Sequence, residues 1–483
     1  MNILFAAAEC VPFVKTGGLG DVVGSLPQSL QKQGVDARVI LPKYKTIPAE
    51  YKDRMTLKYS TTISLGWRTQ SCKVEELIED GVHYYFIDNP YYFGRNYVYG
   101  NATQVSEAER YVFFVRAILE VLPAIGFQPD IIHAHDWQTA ILPLFLQTHY
   151  QNHPFYLHTK TLFTIHNVKY QGIFPKEVLA DLLQLEECFF TPERIEYYGQ
   201  VNFMKAGIVY ADKLTTVSHS YAKDIQTEAF GEGLHGVIKE RQRDLLGIPS
   251  GIDYKRYNPY EDAYLAVARG VYDWKAENKR YLQQRLQLPV REVPMLALVT
   301  RLVSQKGIDL ILASLPYILD KDVQLVILGR GERDYELELL EQASHFKHKL
   351  SVNIAFDEAL AHQLYGAADL FLMPSLYEPS GLSHLIALQY ETIPVVRETG
   401  GLKDTVLNYD EDTGEGNGFT FRDYSVQGLT EAVDNALDCF QDPFVWWRIH
   451  QNVRRSDYSW DRSSLRYKAL YDQLALFSKA VTL

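Results

Sequence analysis

Lys15, Gly17, Gly18 and Gly20 crowd a turn between an apolar run at residues 3–8 and a segment from residue 22 whose apolar positions recur at helical spacing. Glycines there let the backbone bend and a ligand come close. The helix that follows points unpaired N–H groups and the positive end of its dipole at an anion, so a phosphate fits beside Lys15. Arg301 and Lys306 follow a second apolar run, 295–299, with Gly307 opening a helix. Arginine grips oxygens in pairs and lysine acts as a point charge, which suits a diphosphate. Glu378 precedes Ser380, Gly381 and Leu382 after a third run. A carboxylate is poorly placed to bind phosphate and well placed to accept hydrogen bonds from sugar hydroxyls. Each feature also has a plain structural reading: a tight turn, solvated loop cations, and a carboxylate favoured at a helix N-terminus by only ~0.3–1 kcal/mol.

His133, His135, Asp136 and Trp137 invite a metal reading. On a strand the two histidines face one side and Asp136 the other, so the group does not converge, and no partner histidines stand at a usual metal spacing. At a strand end the same residues, with His166, can line a cleft and hydrogen-bond a polyhydroxyl ligand. The stretch 88–100 holds Tyr91, Tyr92, Phe93, Tyr97 and Tyr99. Those rings either stack on the sugars of a chain-like acceptor or pack beneath the loop.

Positioning these residues requires strand–loop–helix units, and the chain supplies them in series. Strands are expected at 2–8, 36–41, 82–87, 131–134, 161–165 and 213–217, with helices at 106–125 and 137–147 and an antiparallel hairpin pairing 73–78 with 82–87. Regularity lapses around 245–262, which reads as a linker. Alternation resumes with strands at 295–299, 323–328, 351–354, 370–373, 393–396 and 418–421 and helices at 307–319 and 334–344. The alternation gives an α/β chain of two doubly wound domains, 1–248 and 249–456, with 457–483 forming a last helix, 462–477, that returns to the first. Ligands of such sheets bind outside the carboxyl ends of the strands, so two facing domains would put a site in the cleft between them, and cleft closure is expected.

At 483 residues, two or three domains are expected. A net charge of −12 excludes nucleic acid or an anionic membrane as a general partner, so an anionic ligand must be held by a local cluster. Four separated cysteines suit a reducing compartment. No transmembrane run appears, and the apolar N-terminus lacks a basic flank and reads as a strand. The 33 tyrosines and 23 phenylalanines suit either sugar stacking or core packing.

Taken in order, the stretches 15–22, 133–137, 163–172, 198–212, 301–309, 374–382, 390–406 and 459–462 closely resemble those of bacterial glycogen synthases and plant starch synthases, glycosyltransferases of the GT-B fold. The resemblance implies two Rossmann-like domains and retaining transfer of glucose from ADP-glucose to the non-reducing end of an α-1,4-glucan such as glycogen, amylopectin or a malto-oligosaccharide. It implies no cofactor and no metal, and a cytoplasmic enzyme that can associate with glucan granules. It assigns Lys15, Gly17 and Gly18 to the donor phosphates and Phe356 to the adenine. Arg301 and Lys306 fall to the departing diphosphate, and Glu378, Ser380, Gly381 and Leu382 to the glucose hydroxyls and distal phosphate. Asp136 and His166 take the glucosyl side, and Glu9, Tyr92 and Trp137 the acceptor.

Four positions depart from the family pattern: Ser380 for cysteine, His384 for glutamine, Glu391 for glycine and Ser250 for asparagine. They leave two alternatives. One is a glucan-binding, catalytically weakened relative. The other is a different retaining GT-B enzyme, such as a sucrose-forming transferase or a pyridoxal-dependent phosphorylase.

Overall fold

The computed structural model describes residues 1–100 and 103–480. The chain divides into two compact units, Met1–Gly251 with Trp460–Leu483, and Ile252–Ser459. Both crossings fall three residues later than the expected 248/249 and 456/457.

Among its described residues the first unit carries a nine-stranded sheet in the order Leu245–Gly247, Lys213–Thr216, Lys160–Ile165, Ile131–His135, Asn2–Ala6, Asp36–Pro42, Val82–Asp88, Arg68–Glu79, Thr56–Leu65. The first seven run parallel, and the last two close the edge as antiparallel ribbons. The parallel strands are apolar runs because both faces are covered: Ile3, Leu4, Phe5, Val39, Ile40, Ile131, Ile132, Leu162 and Phe163 are all fully buried. Sequence order reverses between Asn2–Ala6 and Ile131–His135, a topological switch point. The loops that leave those two strands carry Glu9 to Gly17 and Asp136.

Helix Trp460–Ala480 returns to this unit as expected. Tyr467, Leu470, Tyr471 and Leu474 join the first core, Tyr471 OH lies 2.8 Å from His133 Nδ1, and Ser464 bonds Ser29 at 2.9 Å.

The second unit holds six parallel strands in the order Leu350–Ile354, Gln324–Gly329, Met295–Val299, Leu370–Met373, Ile393–Arg397, Phe419–Phe421. Numbered along the unit this is 3-2-1-4-5-6, the doubly wound order of dinucleotide-binding sheets. Its switch point lies between Met295–Val299 and Leu370–Met373, the strands that deliver Lys306 and Glu378.

Three expectations need correction. Leu245–Gly247, read as linker, is an edge strand parallel to Lys213–Thr216. Thr56–Leu65, not foreseen, pairs with Arg68–Glu79. The helix expected at 137–147 begins only at Ile141, leaving Trp137 in the preceding turn.

Candidate functional site

In the second unit two loops leave the switch point side by side. Gly307 has φ +73°, and a Cβ there would sit 2.2 Å from the Pro374 carbonyl oxygen, so only glycine lets the cation loop pack on the Glu378 loop. The Leu376 amide donates to the Gln305 carbonyl at 2.9 Å and ties the loops together. Lys306 Nζ then meets Glu378 Oε2 at 2.5 Å, and Ser375 Oγ donates to the same oxygen at 3.0 Å. Both side chains of the ion pair are largely withdrawn from water. Arg301 stands exposed at the start of the loop.

Behind Glu378, Gly400 and Gly401 let a neighbouring helix approach. A Cβ on Gly400 would lie 1.9 Å from the Glu378 carbonyl oxygen, which instead accepts from the Gly401 amide at 3.0 Å. Gly381, with φ +78°, caps helix Leu382–Gln389, and Ser380 is half-buried before it. His384 in the first turn is buried, bonds Thr405 Oγ1 at 2.6 Å, and is driven down to about 3 by desolvation, so it is a neutral ring. Phe356 projects from the loop after Leu350–Ile354 with 81% of its surface exposed, an unusual placement for a phenylalanine and a free face for a ligand ring.

In the first unit the glycine turn forms as expected, but two of its amides, those of Thr16 and Gly17, are already engaged. Glu9 is buried, and its carboxylate accepts from the Thr16 amide, from Thr16 Oγ1 at 2.6 Å, from the Gly17 amide at 3.1 Å and from Tyr99 OH at 2.7 Å. Glu9 therefore organises the turn from inside. Lys15 pairs with Asp21 at 2.8 Å. Gly17 caps helix Gly18–Gln31 with extended backbone, so its φ does not demand glycine. A Cβ there would meet nothing within 4 Å, and Gly18 is exposed, which leaves open space for a ligand to approach.

Asp136 follows Ile131–His135 with φ +54°, a conformation that costs non-glycine residues energy and clusters at functional sites. Desolvation pushes its carboxyl up to about 7, opposed by amide hydrogen bonds from His166, 2.8 Å from Oδ1, and Asn167. His166 Nε2 lies 3.0 Å from His135 Nδ1, and burial lowers His166 to about 3, so the pair shares one hydrogen bond between neutral rings. His133 and His135 do share a side, ring centroids 4.0 Å apart, inside the core. Among the described residues no three His, Cys, Asp or Glu side chains gather as a metal-holding group.

Two rings expected at the acceptor pack against protein partners. Tyr92 is buried, donates to Glu109 Oε1 at 2.6 Å and packs on Phe113, so it supports the loop from beneath, while Tyr91 is the ring left exposed. Trp137 is half-buried against Tyr111 and Phe174. Thr16, Tyr99, Asp21 and Ser375 had no assigned role. Only their neighbourhood in sequence flagged three of them, and nothing linked Tyr99 to Glu9.

The model of the starch synthase catalytic domain matches residues 2–240, and that of the group 1 glycosyl transferases matches 283–443. Glycogen synthases of Geobacillus thermodenitrificans and Bacillus cereus are each 48% identical to the chain. The first pairs 98% of both sequences, the second 98% of this chain and 100% of the relative. The chain belongs to the glycogen and starch synthase family. Its glucan-elongating glycosyltransferases share the two-domain α/β GT-B fold seen here. The catalytic domain of starch synthase IV from Arabidopsis thaliana, solved bound to ADP and acarbose, superposes with a TM-score of 0.91 at 33% identity, covering 98% of this chain and 99% of that one. A sucrose-phosphate synthase from Thermosynechococcus elongatus shares the fold alone, at 17% identity and a TM-score of 0.62.

A carboxyl poised near neutrality beside a strand end changes charge within the range where rates are measured. With Asp136 raised to about 7, kcat/KM is expected to fall below that pH as the carboxylate protonates, and Asp136→Asn to lower the plateau and abolish the limb. The folded chain holds this proton where the unfolded chain has released it, so ionising Asp136 lowers stability as pH rises from about 4 to 7. A rate–pH profile paired with thermal melts of both proteins checks the two effects; an identical acid limb in the variant assigns it to another group.

Proposed function

We propose that the protein elongates α-1,4-glucans by moving glucose from ADP-glucose to the non-reducing end, with retention of configuration. The observation that carries the proposal is the Lys306–Glu378 pair, fixed at the switch point of a 3-2-1-4-5-6 sheet with Arg301 on the same loop as Lys306. Breaking a glycosyl phosphate bond places negative charge on the departing diphosphate. Preorganised donors stabilise that charge without reorganising. Lys306 and Arg301 supply cations, and the amides at Gly381 and Leu382 supply dipoles at a helix N-terminus. Glu378 spends Oε2 on Lys306 and Ser375, leaving Oε1 to accept from a glucose hydroxyl.

The first unit offers Asp136 and neutral His166 to sugar hydroxyls and the open face of Gly17 and Gly18 to a phosphate. With the leaving-group charge met by side chains, no metal is required, and the acceptor hydroxyl attacks as the bond to phosphate opens, its proton passing to an oxygen of the departing diphosphate. Full-length kinship with glycogen synthases supports this reading and glucan as the polymer.

The test is incorporation of labelled glucose into glycogen from ADP-glucose and from UDP-glucose, with and without EDTA. ADP-glucose should be preferred, and the chelator should leave the rate unchanged. Folded protein that transfers from neither donor would overturn the proposal; preference for UDP-glucose would overturn its nucleotide.

A further inference from the structure

The hairpin that joins Thr56–Leu65 to Arg68–Glu79 turns through Gly66 and Trp67, Gly66 with φ +57° as a tight two-residue turn requires. Turn tips are ordinarily polar, yet Trp67 stands there with 81% of its surface exposed. It is not loose. The Arg68 guanidinium lies 4.5 Å from the Trp67 ring centroid, covering one face. Arg68 is itself fixed by two 2.9 Å bonds to the Asp181 carboxylate and by Glu109 at 3.4 Å. Gly66 seals the arrangement, since a Cβ there would lie 2.7 Å from the Asp181 carbonyl oxygen. Glu109 in turn accepts from Tyr92, on whose ring the exposed Tyr91 rests edge-on at 5.0 Å.

One polar network thus holds two exposed aromatic rings, one of them stacked from behind so that its outer face stays open. We propose that Trp67, with Tyr91, is a second glucan-holding position. It rests on the reading of the protein as a glucan synthase. A pyranose ring offers an apolar C–H face to an indole and a rim of hydroxyls to the neighbouring Asp181 and Glu109 carboxylates. An apolar protein partner would find charged groups around each ring instead. The location separates this position from the chemistry. Strand Arg68–Glu79 lies three places from Asn2–Ala6 in the sheet, a lateral offset of roughly 14 Å at ~4.8 Å per strand. A long chain engages both, and a short acceptor engages the reaction centre alone.

Trp67→Ala is expected to raise KM for glycogen about three- to tenfold, the size of one aromatic stacking contact. It should leave kcat, KM for ADP-glucose and KM for maltotriose within error. Migration through native gels containing glycogen should quicken in parallel. Trp67→Phe should recover most of both, and Tyr91→Ala, which leaves the hairpin intact, should show a smaller shift in the same direction. If Trp67→Ala is active on maltotriose and its glycogen KM and gel retardation match the parent, the position does not hold glucan and the proposal falls. An equal rise in KM for maltotriose would also overturn it, by placing Trp67 at the reaction centre. Failure of the parent protein to use any glucan overturns the functional reading itself, a result distinct from both.

Discussion

Lys306→Ala is expected to reduce kcat about a hundredfold to a thousandfold, the ~2.7–4 kcal/mol that removal of one preorganised electrostatic donor costs. The ammonium is placed by the strand Met295–Val299, by a 3₁₀ turn over Ser304–Lys306 and by the left-handed Gly307, and it is held against Glu378. None of that positioning has to be repeated when charge develops on the leaving group. The same substitution strands a buried Glu378 carboxylate, and breaking a buried pair by removing one partner destabilises by about 3–5 kcal/mol. Rate and stability therefore fall together in the single variant. Lys306→Ala combined with Glu378→Gln isolates the stability part: the neutral amide removes the stranded charge and restores much of the melting temperature, while kcat stays low with both groups gone. Recovery of kcat in the double variant would show that Lys306 acts only through the fold, and an unchanged rate in the single variant would remove it from the diphosphate altogether.

The sequence reading succeeded where one signal sufficed. Lys306 and Glu378 each follow a short apolar run that could only be a buried strand, and a strand end in a doubly wound sheet is where ligands bind. It failed where the deciding partner was distant. The role of Glu9 inside its own turn was not legible, because Tyr99, one of the groups that let it be buried, lies 90 residues on. Tyr91 and Tyr92 are adjacent aromatics in an irregular loop, where no periodicity says which one points inward. Glu109, a helix residue without evident function, decides it by accepting from Tyr92. Leu245–Gly247 was hidden by the glycine and proline around it. Three residues suffice for an edge strand only because Lys213–Thr216 is already there to pair with. Thr56–Leu65 buries only Ile63 and Leu65 fully, so its polar exterior outweighed its alternation.

Glu391→Ala should lower the stability of the second unit by about 3–5 kcal/mol, since it leaves two arginines without their shared carboxylate. Helix Leu382–Gln389, whose N-terminus carries Gly381, ends in a Schellman pattern: the Glu391 amide bonds the Leu388 carbonyl at 2.9 Å and the Thr392 amide bonds Ala387 at 2.8 Å. That pattern puts residue 391 in the left-handed region, φ +59°, where glycine is usual and any other residue costs about 1–2 kcal/mol. Glutamate offsets the strain through its side chain, which is almost wholly buried. Arg454 grips it through Nε at 2.7 Å and a second nitrogen at 3.0 Å, and Arg269 pairs with it. Burial alone would raise this carboxyl, but the Arg454 hydrogen bond and the nearby charges of Arg269 and Arg454 outweigh it and hold it below the usual range. Alanine loses the ion pairs and keeps the strain. Glycine loses the same pairs and relieves the strain, so Glu391→Gly should be about 1 kcal/mol less damaging. At ~2–4 °C per kcal/mol for a unit of this size, the alanine variant should melt roughly 6–20 °C lower at neutral pH. Because the native carboxyl is depressed, its contribution is present above the unfolded value near 4 and lost as pH falls through the folded one, so the gap between parent and variant should narrow in melts below about pH 4. A gap that is the same at acid and neutral pH would show that the ionic grip does not operate as described, and an alanine variant as stable as the glycine one would show the same of the backbone strain.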